Sequence, residues 1–401
     1  MNVFKKIYCR IFQTAFRLAI PFMPYRKPEI IGELNGVSKV LKQNVKSCAL
    51  VVTDGFLSKT EKLKSLIISL EQSGIRCVLF DKTNANPTVF NVEDARKIYL
   101  SEKCDCIIGY GGGSSIDCAK AVGARIAYPE KSLNKLKGTL TVRRNIPLLI
   151  AIPTTAGTGS EVTVTAVITD SEKKHKYTMN SFKLIPQYAV LDPSVTYTLP
   201  PKLTATTGMD ALTHAVEAYI GNSTTKETRK CALTAVKLIF ENISVAYSNG
   251  QNQIARKNML EASYLAGVAF TTSYVGYVHA VAHSLGGQYN VAHGLANSVL
   301  LPVVLSSYGK KIHKKLYELA CFAGVATSSD SVEVGANKFI DAIKKLNSSM
   351  GIPETFSEIN AEDIPHMAKY ASKEANPLYP VPVLMDAKQL EKFYYTVSNR
   401  S

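Results

Sequence analysis

The hydrophobic pattern of this 401-residue chain changes period at Pro200-Pro201, and that change sets what the chain can fold into. Upstream, short apolar runs alternate with polar helical stretches. Ala49–Thr53 leads to a helix near Lys59–Ser73, Cys77–Phe80 to a helix at Val92–Ser101, and Cys106–Gly109 to a helix reaching about Ala127; Leu148–Ile152 is again apolar. Strands that are apolar at every position, with helices between them, predict a parallel sheet covered on both faces. A β-rich stretch follows in VTVTAVITD, KYTMN and AVLDP. From Lys202 onward nearly every window repeats at 3.6 residues, which predicts an all-helical second half. The expected organisation is an amphipathic segment over residues 1–27, an α/β domain over 28–200 and a helical domain over 201–401.

The helical half carries the residues with the sharpest chemical meaning. In MDALTHAVEAYI, Asp210 and His214 are four residues apart in a helical pattern, so both side chains lie on one face with Cβ atoms about 5–6 Å apart. In HAVAHSLGGQYNVAHG, a helical turn bearing His279 and His283 is expected to give way at Gly286-Gly287, and the chain returns with His293. Four of the seven histidines fall in these two segments, which is not how scattered core or surface histidines are distributed. Asp210, His214, His279 and His293 together offer one carboxylate and three imidazoles. That set suits Fe(II) or Zn(II) and not Ca or Mg, which prefer all-oxygen shells.

The α/β half offers phosphate and ribose partners at the carboxyl ends of its strands, where open parallel sheets bind ligands. Asp54 follows the first strand; it can accept from a ribose diol and would repel a 2′-phosphate, or it can simply cap the next turn. Gly111-Gly112-Gly113-Ser114-Ser115 follows a strand and opens a helix, so backbone N–H groups and the helix dipole can meet a pyrophosphate. It is not the GxGxxG fingerprint, because here the acidic residue precedes the glycines. The loop PTTAGTGS at 153–160 adds hydroxyls at the same sheet edge. Asp117 is expected to cap or pair locally, and Lys120 to face solvent on its helix.

Net charge is +15, but the basic residues are dispersed, with no aromatic-interleaved stripe and no zinc-finger pattern, so nucleic acid is not expected as a partner. The eight cysteines form no CxxC and mostly sit in apolar runs, consistent with a reducing cytoplasm. Cys104 and Cys106 alternate in CDCIIGY and are expected on one face of a strand. Over residues 3–20, Phe4, Ile7, Tyr8, Ile11, Phe12, Ala15, Phe16, Ala19 and Ile20 form an apolar stripe, with Lys5, Lys6, Arg10, Gln13, Thr14 and Arg17 opposite. Arg17 and Pro21 make the run too short to span a bilayer. A helix of this kind docks on a partner, lies on an anionic membrane or packs on the protein's own surface.

GGGSSIDCAK, PTTAGTGSEVT, DPSVTYTLPPKLTATTGMDALTHAVEAY and HAVAHSLGGQYNVAHGLANSVLLP together resemble the iron-containing (group III) alcohol dehydrogenases, in the family's order and from about Pro28 to the helices near Asn347. The resemblance implies an N-terminal α/β dinucleotide-binding domain with a parallel sheet and an all-helical C-terminal domain, an architecture like that of dehydroquinate synthase. It implies reversible hydride transfer between NAD(H) and small primary alcohols or aldehydes, with iron (zinc also being possible) held by Asp210, His214, His279 and His293. His283 matches the non-ligand histidine that passes a proton. Asp54, Asn86, Gly112, Gly113, Ser114, Ser115, Thr154, Thr155, Thr163 and Lys176 match NAD-contacting positions; Phe270 and Thr165 match the substrate pocket. A homo-oligomer is implied as well. The chain departs from the pattern in its longer segment before Pro28 and in LYPVPVLMD after Asn376-Pro377. A zinc polyol dehydrogenase of the glycerol type is the nearest alternative, although such relatives typically use one carboxylate and two histidines. A dehydroquinate synthase-like lyase would need a basic cluster that the Ala-, Gly-, Tyr- and Phe-rich surroundings of the histidines do not supply.

Overall fold

The computed structural model describes residues 1–171 and 175–398, and these form two compact units. One unit is Pro24–Leu199; the other combines Met1–Met23 with Pro200–Ser401. The helix α1 (Val3–Ala19) therefore belongs with the C-terminal half.

In the α/β unit, β1 (Glu29–Ile31), β2 (Cys48–Val52), β3 (Arg76–Phe80), β4 (Cys106–Gly111), β6 (Leu148–Pro153) and β9 (Tyr188–Val190) form one parallel sheet in the order β1-β9-β6-β4-β2-β3. A smaller sheet contains β5 (Gly138–Thr139) and the antiparallel pair β7 (Thr165–Asp170) and β8 (His175–Asn180). The helices are α2 (Gly36–Gln43), α3 (Glu61–Gln72), α4 (Val89–Ser101) and α5 (Gly113–Ala127). Successive strand residues point to opposite faces, and each face has its own core. Leu50, Val52, Ile107 and Leu149 pack with Val92 and Ala95 of α4 and Cys118 and Ala119 of α5. Ala49, Val51, Ile108 and Ile150 pack with Val37 and Leu41 of α2 and Leu63 and Leu66 of α3. This double coverage is why the central strands read as unbroken apolar runs.

Two local expectations fail here. Strand β4 begins at Cys106, so alternation does not extend back to Cys104: Cys104 joins the first core, 3.5 Å from Cys48 Sγ, and Cys106 joins the second. Lys120 does not face solvent. It lies on the face of α5 turned toward the 163–165 backbone and is fully buried, donating to the Thr163 carbonyl (3.0 Å), the Thr163 hydroxyl (2.9 Å) and the Thr165 carbonyl (2.7 Å). Burial pulls its ammonium down to about 8.

The helical unit contains α6 (Pro201–Ile220), α7 (Lys226–Ser248), α8 (Gln253–Ser273), α9 (Tyr277–Tyr289), α10 (His293–Tyr308), α11 (His313–Phe322), α12 (Val332–Ser349), α13 (Ile364–Ala375) and α14 (Ala387–Val397). Helix α6 is buried at nearly every position from Thr204 to Ile220, as expected of a central helix packed by α7, α8, α10 and α11. Its C-terminal carbonyls, Ile220 and Gly221, accept from Lys315 at 2.7 and 2.9 Å, which satisfies groups that have no intrahelical partner. Helix α9 runs through Gly286-Gly287 and ends instead at Asn290, whose left-handed backbone (φ 54°) forms the C-cap. Two glycines inside a well-packed helix weaken it without ending it, whereas asparagine tolerates the left-handed turn.

Helix α1 packs on this unit through a mixed face that carries Cys9, Arg10, Gln13 and Phe16, with Ile20 buried just past its end. Arg10 donates to the carbonyls of Val381 (2.8 Å) and Pro382 (2.9 Å), and Gln13, only 4% exposed, donates to Tyr379 (2.6 Å). Of the apolar stripe read from the sequence, Phe4, Ile7, Tyr8, Ile11, Ala15 and Ala19 are exposed, whereas Phe12 and Phe16 are half-buried and Ile20 is buried, because at 100° per residue these three fall on the packed side with Cys9 and Gln13.

Candidate metal centre and dinucleotide loops

Three helices bring the candidate ligands together. Asp210 and His214 occupy one face of α6; His279 sits in the first turn of α9; His293 is the first residue of α10. Glycine at 294 makes the last placement possible: a Cβ there would lie 2.4 Å from the Thr206 carbonyl oxygen, so α10 starts directly against α6. One ligand atom from each of Asp210, His214, His279 and His293 lies within 4.8 Å of every other. Two bonds of about 2.1 Å span about 4.2 Å, so this is close to the spread one cation needs. The His293 Nε2 lies 3.5 Å and the His279 Nε2 4.0 Å from Asp210 Oδ1.

His279 is in the protonation state a metal requires. Burial, with the neighbouring His214, His293 and His283 rings, holds His279 well below the usual imidazole range, so it is neutral. Its Nδ1 is 2.7 Å from Glu217 Oε2, on the same helix as Asp210 and His214. Glu217 also accepts from the backbone N–H groups of Gly276 (2.7 Å) and Val278 (2.8 Å) at the start of α9. Three donors converge on it, so the His279 proton resides on Nδ1 and the Nε2 lone pair is left open. That Nε2 is buried and has no hydrogen-bond partner, a state that is costly unless a ligand fills it. A divalent cation fits the donor set.

Phe270 of α8 stacks on His214 (centroids 4.1 Å apart, 12° between planes), and His214 stacks on His279 (4.5 Å, 26°). Asn297, one turn along α10, is fully buried and donates to Asp210 Oδ1 at 2.6 Å. His283 stands apart from the donor group. Its ring stacks on His293 (5.1 Å, 19°), and its Nδ1 lies 2.6 Å from Glu374 Oε1, which also accepts from the Tyr379 hydroxyl at 2.7 Å. Desolvation alone would raise the Glu374 carboxyl. The His283 ring and the hydrogen bonds from His283 and Tyr379 hold it below the usual carboxylate range. An ionised Glu374 accepts only, so the hydrogen bond places a His283 proton on Nδ1.

In the α/β unit the two candidate loops touch. A Cβ on Gly113 would lie 2.9 Å from Thr158 Oγ1, and the Thr154 N–H donates to the Gly111 carbonyl at 3.0 Å. Gly112 is the N-cap of α5, with Gly113, Ser114 and Ser115 in its first turn, so free N–H groups open beside Thr154 and Thr155. The Ser114 hydroxyl donates to the Ala85 carbonyl and Lys176 donates to Asn86 Oδ1 at 2.9 Å, which ties the 84–86 turn to the same edge. Lys173 and Lys174, in the basic turn beside Lys176, lie outside the described residues. Asp54 Oδ1 accepts from the N–H groups of Phe56 and Leu57, both at 2.9 Å, the capping role also open to it from sequence. Thr163 is buried with its hydroxyl taken by Lys120, and the Thr165 hydroxyl donates to Asn180 Oδ1 at 2.7 Å.

Sequence reasoning missed Glu217, Asn297 and Glu374. The first two carry a signal: Glu217 extends the Asp210, His214 row by another turn, and Asn297 follows His293 by four residues. Glu374 has none, being 91 residues from His283.

Residues 30–193 match the iron-containing alcohol dehydrogenase family, and residues 204–397 match the C-terminal region of the Fe-containing alcohol dehydrogenase family. The 1,3-propanediol dehydrogenase of Citrobacter freundii is 40% identical over 332 residues, 82% of this chain and 86% of that protein. The NAD-dependent methanol dehydrogenase of Bacillus methanolicus is 36% identical over 345 residues, 86% of this chain and 90% of its own. A solved structure of 1,3-propanediol oxidoreductase superposes with a TM-score of 0.89 at 35% identity, covering 93% of this chain and 99% of that one.

Proposed function

This chain belongs to the iron-containing alcohol dehydrogenase family, and from that premise we propose that Asp210, His214, His279 and His293 hold a ferrous ion and that the substrates are short primary alcohols and their aldehydes. NAD-dependent alcohol dehydrogenase activity comes with the family. The observation that carries the metal assignment is the buried, partnerless His279 Nε2 among three other converging donors. His214 as a third imidazole supports iron over the zinc polyol alternative.

When bound, the ion supplies a Lewis acid for the substrate oxygen and the dinucleotide supplies the hydride acceptor. The chain's own residues do the rest. Glu217 fixes the His279 tautomer, and Asn297 orients Asp210. His283 Nε2, made basic by Glu374 on the other ring nitrogen, takes the hydroxyl proton in oxidation and returns it in reduction. The Gly112–Ser115 turn, with Thr154 and Thr155, receives the pyrophosphate; Asp54, Asn86 and Lys176 complete the dinucleotide contacts, Thr163 acting behind them as the buried acceptor for Lys120; and Asp54 favours NAD over NADP. Phe270, stacked on His214, is the proposed substrate contact in the helical unit, and Thr165 is carried as a substrate contact by the resemblance alone. The relatives named for propanediol and methanol support small, neutral substrates. A cytoplasmic homo-oligomer is part of the same proposal, supported for the compartment by eight free cysteines.

The test is NADH oxidation across a series of short aldehydes, with metal analysis of anaerobically purified protein. Turnover with about one iron per chain is expected. Zinc at full occupancy with glycerol-type polyols preferred would favour the alternative, and no turnover with any short aldehyde would overturn the substrate class.

A further inference from the structure

Helix α1 is mounted with its apolar stripe facing away from the protein. At 100° per residue, Phe4, Ile7, Tyr8, Ile11, Ala15 and Leu18 fall on one arc about 100° wide. All six are exposed, Phe4 at 84%, Ile11 at 64% and Leu18 at 67%; Phe22, beyond the helix, continues the stripe at 87%. The opposite side is occupied: Cys9 and Gln13 are buried, Arg10 and Gln13 are bonded to the 379–382 backbone, and Phe16 meets Tyr274 edge-on at 5.0 Å. A helix that only needed to cover its own protein would bury the apolar stripe. This one is held by Arg10 and Gln13 together with Cys9 and Phe16 on its other side, and keeps the wider apolar stripe outward.

Charge narrows what covers it. Residues 1–23 contain Lys5, Lys6, Arg10 and Arg17 and no acidic residue; Arg10 is bonded to the 381–382 carbonyls, Lys5, Lys6 and Arg17 are exposed, and Lys311 borders the same surface beside Lys6 and Ile7. Pairing α1 with α1 of a second copy would set these cations against each other. An anionic bilayer satisfies both features, because apolar side chains enter the acyl boundary while flanking lysines and arginines remain at the phosphates. The helix has 17 residues, about 25 Å at 1.5 Å per residue, short of the roughly 30 Å hydrocarbon core. Among the described residues no single helix is long and apolar enough to cross a membrane. We propose that α1 is an interfacial anchor that seats this dehydrogenase on anionic phospholipid surfaces through Phe4, Ile7, Tyr8, Ile11, Leu18 and Phe22. The inference stands on this surface alone and does not depend on the reaction assigned to the metal centre.

The full-length, metal-loaded enzyme is sedimented with phosphatidylcholine vesicles and with mixed phosphatidylcholine–phosphatidylglycerol vesicles at low and physiological salt, with dehydrogenase activity in free solution as the check that each variant is folded. The wild type should partition onto anionic vesicles, less so at higher salt, and not onto zwitterionic ones. Lys5→Gln with Lys6→Gln should weaken binding roughly 30-fold, at about fivefold per basic residue. Ile7→Ser with Ile11→Ser should lower it at least about tenfold, with activity unchanged. Absence of anionic-vesicle binding at low salt overturns the proposal, and so does binding that is indifferent to the serine pair. A wild-type assembly that ignores vesicles but shrinks in the serine variant, measured by light scattering, overturns it in favour of a contact between copies.

Discussion

Glu217 and His279 are joined by a 2.7 Å hydrogen bond that runs from the central helix α6 to the first turn of α9. The same carboxylate caps α9 through the Gly276 and Val278 N–H groups, so one side chain aligns the helix and sets the tautomer of the candidate ligand it carries. Burial pushes Glu217 up to about 7, and the N–H donors around it oppose that rise. Glu217→Ala should lower metal affinity 10–100-fold, by the usual cost of losing a partner that orients a ligand. Equilibrium dialysis against a chelator series reads this directly. His279→Ala should lose metal and activity together, and a variant with normal metal content would remove His279 from the ligand set.

His283 and Glu374 predict a different phenotype. His283→Ala should retain the metal and slow turnover about 10²–10⁴-fold, the range for loss of a positioned acid–base group. Glu374→Gln keeps a hydrogen-bond acceptor without the charge and should fall between the wild type and His283→Ala. Metal analysis alongside kcat separates these variants from those at the ligands. A His283→Ala enzyme with wild-type kcat would end its role in proton transfer.

Asp54→Gly should narrow the preference for NAD over NADP, because the carboxylate that would repel a 2′-phosphate is gone. Asp54 also caps the Phe56–Leu57 turn, so some stability should be lost as well. The ratio of kcat/KM for the two cofactors is the relevant measurement. An unaltered ratio in a folded variant would leave Asp54 with its capping role alone.

Glu161 predicts how stability varies with pH. It is buried, its Oε1 has no hydrogen-bond partner, and desolvation raises its carboxyl from 4.5 to about 7 despite the opposing effects of its own backbone N–H and of Lys120. Between these values the folded state holds a proton that the unfolded chain has released. Its contribution is therefore fully present below about pH 4.5 and is lost as pH rises through about 7, a change on the order of 3 kcal/mol. Glu161→Gln should flatten that part of the profile. Urea midpoints for the two proteins at pH 5 and pH 7.5 would test it, and parallel profiles would contradict it.

The sheet and the helical half were legible because both follow from the period of the apolar residues, which is a property of neighbours in sequence. Asp210 and His214 were legible for the same reason, since four residues along a helix return to one face. Lys120 and α1 were not. Both carry polar residues that helical periodicity assigns to solvent. Lys120 is buried because the 163–165 backbone presents oxygen acceptors to it, and Gln13 because the 377–382 segment does the same. Whether a polar side chain is buried depends on the acceptors a distant segment brings to it.

Taken alone, the amino-acid order determined the parallel α/β unit, the helical unit, the four candidate metal donors that converge in the structure and the two loops that meet at Gly113 and Thr158. Folding in three dimensions decided which groups tune those donors and which face of α1 is left bare. The reason is range: donors on one helix are set by a pitch of a few residues, whereas Glu217 reaches His279 across 62 positions and Glu374 reaches His283 across 91. Contacts at that separation exist only once helices pack: the helical row places Glu217 on the face of Asp210 and His214 without naming its partner, and no local pattern brings Glu374 to His283.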